Sequence, residues 1–131
     1  MAAEYVLVPP TNDTESTRLD HQHIMFMRTL GTLHKAPLDT TKPLKVLDIG
    51  CGNGNWATAA ALKYPKAQVL GLDVTASPQW ADAPTNCAFR QLSAEDAETW
   101  TALHDQYDYI HARMIMVFVR SWANLLKRCY D

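Results

Sequence analysis

Leu44-Lys45-Val46-Leu47-Asp48-Ile49-Gly50-Cys51-Gly52-Asn53-Gly54 runs a short, mostly apolar segment straight into glycines at every second position. The apolar part reads as a strand and the glycines as a tight loop, because glycine alone enters left-handed backbone without a steric cost. A helix follows through Trp56 and Leu62 until Pro65, and Gln68-Val69-Leu70-Gly71-Leu72-Asp73 reads as a second strand. A crossover of this length through a helix makes the two strands parallel. Working downstream, a proline-marked loop at Ser77 to Pro84 precedes a third strand, Cys87 to Leu92, and Glu95 to Leu103 looks helical. Tyr107 to His111 makes a fourth strand, and Ser121 caps a last helix with Trp122, Leu125, Leu126 and Cys129 on one face. The fold class is α/β.

Upstream the texture changes. Pro9-Pro10 and the capping region Asn12-Asp13-Thr14 lead into a helix in which Ile24, Met25, Met27, Leu30 and Leu33 form a stripe that can pack on a core. Its polar residues Arg18, His21 and His23 can equally line a substrate mouth, and Gly31 and Pro37 close the segment. The expected organisation is one structural domain, with residues 1–43 as a helical cap segment and 44–131 as the core.

Composition narrows the function. With 131 residues, 47% hydrophobic and 20% charged, the chain can bury a real core. A net charge of -2 with scattered Lys and Arg supplies no basic stripe for nucleic acid. The longest apolar run, Met114 to Val119, is too short to span a bilayer. Cys51, Cys87 and Cys129 lack metal-ligand spacing and the start lacks a secretory signal, so an intracellular protein, cytoplasmic or nuclear, is expected.

A strand, a glycine loop, a helix and an acidic residue, Asp73, nineteen positions after Gly54 suit a nucleoside whose ribose hydroxyls the carboxylate takes. A plain glycine turn serving only the fold is the alternative. Among nucleosides, ATP and GTP would want Gly-Lys-Ser or Gly-Lys-Thr where Gly54-Asn55-Trp56 stands. A dinucleotide would want a third-position glycine in place of Asn55, and Asp48 and Asp73 would repel its pyrophosphate. S-adenosylmethionine carries a sulfonium and an ammonium and no phosphate, so two carboxylates around an uncharged turn favour it.

Val46 to Gly54 resembles the first motif of class I S-adenosylmethionine-dependent methyltransferases, and the chain resembles their fungal LaeA-like subgroup. Arg18-Leu19-Asp20-His21-Gln22-His23, Leu72-Asp73 with Pro78-Gln79-Trp80, and Tyr109-Ile110-His111-Ala112-Arg113 carry the similarity over nearly the whole chain. The resemblance implies a Rossmann-like three-layer fold, shortened at its C-terminus to about four parallel strands in the order 3-2-1-4. It implies that Gly50, Gly52 and Gly54 line the methionine portion of the cofactor, with Asp48 nearby and Asp73 holding the ribose, and that Cys51, Asn53 and Val74 belong to the same cofactor site. The family's Asp-Ala pair at the adenine falls on either Ser93-Ala94 or Asp96-Ala97.

His111, just past the fourth strand at the carboxyl end of the sheet, is the general-base candidate, against a histidine that only bonds locally. Arg113 can steer an anionic substrate or be a salt-bridged surface arginine. Glu95, Asp96 and Glu98 read as a solvated helix start rather than a metal site, and the four tryptophans as packing rather than a base-stacking platform. A fourth strand left at an edge beside Met114 to Val119 predicts a homodimer or a protein partner that covers it, with a last helix folded over the gap as the alternative. The expected function is methyl transfer to a small molecule of secondary metabolism. The rivals are a methyltransferase-like enzyme that has lost the transfer and performs isomerisation, cyclisation or epimerisation, and a noncatalytic regulatory subunit.

Overall fold

The computed structural model describes residues 13–103 and 106–131. Its elements are α1 (Asp13–Leu30), β1 (Lys45–Ile49), α2 (Asn55–Lys63), β2 (Gln68–Asp73), β3 (Cys87–Gln91), α3 (Ala97–Leu103), β4 (Tyr109–Ala112) and α4 (Trp122–Tyr130). A short 3-10 turn, Pro78–Asp82, occupies the expected proline-marked loop. The sheet is parallel throughout and ordered β3-β2-β1-β4.

Alternation along β1 sends Val46 and Leu47 to opposite faces, and each face gathers its own core. On one side α2 lays Trp56, Ala57, Ala60 and Ala61 against Val46, Val69 and Cys87. Alanine lets that helix lie close to the strands, and Tyr64, ahead of Pro65, leaves helical geometry at φ -119 and ψ 79. On the other side Leu47, Ile49 and Leu72 meet Leu103 of α3 and Leu125 of α4. This is the three-layer α/β arrangement.

Register then brings the functional candidates together. Asp48 on β1 stands beside Gly71 on β2 and His111 on β4. The β1–β4 pairing is clamped below by Asp108, whose carboxylate accepts the Lys45 N–H at 2.7 Å.

Two expectations from the sequence need correction. In α1, Ile24, Met25 and Leu30 are exposed, and the one buried residue of the helix is Ser16. Met27 and, beyond the helix, Leu33 do pack on the core as expected, while Ser16, Leu19, Asp20 and His23 supply further contacts of α1 at a helical spacing that a hydrophobic stripe does not reveal. In α4, Trp122, Leu125, Leu126 and Cys129 share one face as expected, with Leu125 buried while Trp122 and Leu126 are 41% and 60% exposed, so that face is only partly covered. Glu95 is not merely solvated. Its carboxylate accepts the Arg120 N–H at 2.6 Å and the Ser121 N–H at 3.3 Å, anchoring the entry to α4. Ser121 caps that helix as expected, its hydroxyl accepting the Asn124 N–H. The proposed cap residue Asn12 lies outside the described residues.

Candidate functional site

The glycine turn is built by three left-handed residues, Gly50 (φ 65), Gly52 (φ 57) and Gly54 (φ 87). The Cys51 N–H donates to the Leu72 carbonyl at 2.9 Å, which ties the turn to the end of β2. Gly54 and Gly71 make room for Phe89: a Cβ at either would sit 2.6 Å from that ring. Gly54 thus serves helix-to-sheet packing, whereas Gly50 is exposed at the carboxyl end of the sheet.

Asp73 closes the turn from the side. Its Oδ2 accepts the Gly52 N–H at 2.8 Å and its Oδ1 the Thr75 N–H at 3.0 Å. Trp80 completes the clasp, donating from Nε1 to the Gly52 carbonyl at 3.0 Å. Val74, next in the chain, is 64% exposed, an apolar surface beside the carboxylate. Burial, then the charges of Asp48 and Asp73, push the Cys51 thiol well above its ordinary value, so the turn lies in an anionic field.

Asp48 bonds across the sheet to β4. Its Oδ1 lies 2.8 Å from His111 Nδ1, and the imidazole stacks on Trp56 with centroids 3.7 Å apart and planes within 4°. An ionised carboxylate only accepts, which fixes the proton on Nδ1 and leaves Nε2 as the acceptor. Burial raises the Asp48 carboxyl, and the His111 hydrogen bond works against that shift. The pair has the form of an oriented base.

Helix α1 lies over both features through polar contacts. Asp20 Oδ1 accepts from the side-chain amides of Asn53 at 2.9 Å and Asn55 at 2.8 Å. Gln79 reaches across to the Ser16 hydroxyl at 2.6 Å, and Leu19 Cδ1 stands 3.4 Å from where a Gly52 Cβ would be. Farther along, Arg113 Nη2 lies 3.1 Å from His23 Nδ1, with the guanidinium over the Phe26 ring.

Residues 20–131 match the family model described as a methyltransferase domain. The chain belongs to the methyltransferase-domain family. Similar proteins include the secondary metabolism regulator LAE1 of Cochliobolus heterostrophus, 38% identical over 92% of this chain and 40% of that protein. Methyltransferase str2 of Strobilurus tenacellus is 34% identical over 100% of this chain and 48% of its own length. The chain therefore spans less than half of each of these relatives. Among solved structures, PKMT2 from Rickettsia typhi in complex with AdoHcy aligns at TM-score 0.51 and 30% identity, over 67% of this chain and 18% of that one.

In this methyltransferase domain the residues expected at the cofactor fall into two groups. Gly50, Cys51, Gly52, Asn53, Gly54, Asp73 and Val74 gather at the carboxyl ends of β1 and β2. Asp48, expected nearby, is buried and paired with His111. On the adenine side, the Ser93 hydroxyl accepts the Glu95 N–H at 3.2 Å and the Ala94 carbonyl accepts from Trp100 Nε1 at 2.8 Å. Asp96 is exposed at the start of α3. The contacts of Ser16 and Asp20 with Gln79, Asn53 and Asn55 were not anticipated, because a helix is ordinarily placed by its apolar positions. Among the described residues no cluster of His, Cys, Asp and Glu could hold a metal ion, and no helix is long and apolar enough to cross a membrane.

Proposed function

We propose that this methyltransferase domain binds S-adenosylmethionine at the Gly50–Gly54 turn and methylates a small-molecule acceptor. The observation that carries the reading is Asp73, a carboxylate fastened across an uncharged glycine turn by the Gly52 N–H. The donor set fits the cofactor: glycine backbone for its methionine end, Asp73 for the ribose hydroxyls, the exposed Val74 side chain for one face of the adenine, and Ser93 or Asp96 at the base edge. The acidic field around Cys51 suits a cation and opposes a pyrophosphate. When bound, this cofactor supplies a methyl group on a positively charged sulfur. His111, its Nδ1 committed to Asp48, receives the acceptor's proton at Nε2, and Trp56 holds the ring plane. Similarity to a regulator of secondary metabolism and to a fungal methyltransferase supports an acceptor from that chemistry.

Calorimetric titration tests the reading. S-adenosylmethionine binds the purified chain, and Asp73→Asn weakens it at least about tenfold, or about 1.4 kcal/mol. No heat at millimolar ligand overturns the cofactor assignment. Unchanged turnover in His111→Ala removes the base.

The reading includes a second copy of the chain over β4. Among the described residues that strand pairs only with β1, and Met114, Met116, Val117 and Phe118 beside it are exposed. Trp122, Leu126 and Tyr130 of α4 add further apolar surface, and an open edge next to such a patch favours a protein cover.

A further inference from the structure

We infer that Arg113 and His23 form a subsite for a carboxylate, so that the acceptor held beside His111 is an organic acid. The inference rests on the proposed cofactor site, which sets the carboxyl end of the sheet as the place of reaction.

Arg113 is half-buried, and among the described residues no carboxylate lies within ion-pair distance of it. A partly buried guanidinium without a counter-ion is costly, and proteins normally pair such charges. The nearby carboxylate, Asp48, is engaged by His111. The Phe26 ring, 4.8 Å from the guanidinium carbon, fixes the cation's position, and one nitrogen is taken by His23. The remaining N–H groups form the planar fork that matches a carboxylate with two parallel bonds.

His23 adds a donor. Burial first, and then the Arg113 charge, hold its imidazole below the ordinary value, so it is neutral near pH 7. Because its Nδ1 faces a cation that can only donate, its proton sits on Nε2 and is available to an anion. Asp20 opposes that shift and His111 reinforces it, so both lie within electrostatic range of His23. The same surroundings select the anion. Asp48 lies within electrostatic range of Arg113, so a singly charged carboxylate meets less repulsion there than a phosphate with a charge of about -1.5 to -2.

Benzoate and its uncharged isostere benzamide are the probes, titrated into the chain saturated with S-adenosylhomocysteine while the imidazole resonances of His23 and His111 are followed by NMR. Benzoate is expected to shift both at millimolar concentration, benzamide to shift neither, and inorganic phosphate to bind at least about tenfold more weakly than benzoate. Arg113→Met raises the benzoate Kd at least about tenfold with S-adenosylhomocysteine affinity retained. Arg113→Lys, which keeps the charge and loses the fork, falls between. Equal responses to benzoate and benzamide in the unaltered chain, which need no variant to fold, overturn the subsite. So does an Arg113→Met chain that binds benzoate normally. If S-adenosylhomocysteine itself does not bind, the cofactor reading fails and takes the subsite with it; if it binds and benzoate does not, the subsite alone falls.

Discussion

Gly50 and Gly31 share a backbone and differ in their neighbours. Both have positive φ, 65 and 70, but a Cβ at Gly50 would lie 2.5 Å from Ile115 Cγ2, whereas one at Gly31 would meet nothing within 4 Å. Gly31 follows α1 and bonds from its N–H to the Met27 carbonyl at 2.9 Å, a helix stop that asks only for left-handed backbone. Alanine at position 31 therefore costs about 1 kcal/mol, the left-handed penalty alone. Alanine at position 50 adds a clash with a buried branched side chain, for a total of about 3 kcal/mol. Urea midpoints of Gly31→Ala and Gly50→Ala check the ordering, and equal losses would show that Ile115 yields without cost.

At the scale of elements, α1 differs from the other helices in being held by polar bonds. Helices α2, α3 and α4 each send buried apolar side chains to a face of the sheet, such as Ala57, Leu103 and Leu125. Over the glycine turn, by contrast, α1 is fastened by Asp20 to two asparagines and by Ser16 to Gln79. Such contacts add about 1 kcal/mol each in net stability, so this part of the fold should open before the strands do. Asp20→Ala is expected to raise amide hydrogen exchange in α1 about fivefold, with β1 and β2 unchanged. Asp20→Asn keeps an acceptor for both asparagines and should restore most of the protection. Uniform loss of protection across the chain would mean that α1 and the sheet unfold as one unit.

For the whole molecule the two cores are unequal in cover. Leu47 and Leu72 are fully enclosed between β1, β2, α3 and α4, and their burial stabilises the sheet by about 2 kcal/mol each. Close by, Met116 is 72% exposed and Val117 64%, an apolar area continuous in sequence with the unpaired side of β4. Light scattering at micromolar concentration should therefore give twice the chain mass, and Val117→Asp should shift the molecules toward monomer. A stable monomer of the unaltered chain would exclude the second copy.

Much of this was legible in the sequence. The strands and the parallel pairing of β1 with β2 follow from apolar runs separated by a helical crossover, the order of the sheet came from the family resemblance, and Gln68–Asp73 stands where its residues placed it. The nucleoside-type turn followed from the spacing of Gly50, Gly52, Gly54 and Asp73, because its geometry is local to one strand, one loop and one helix. Asp48 was different. Its partner is 63 residues away on β4, so only the β1–β4 register could show it as the anchor of His111. Likewise the inward face of α1 is chosen by bonds to Asn53, Asn55, Gln79 and Arg113, partners at long separation. Local periodicity thus determined the elements and the glycine turn, while the chain's return on itself decided which polar groups meet, since hydrogen bonding depends on distances that sequence spacing does not encode.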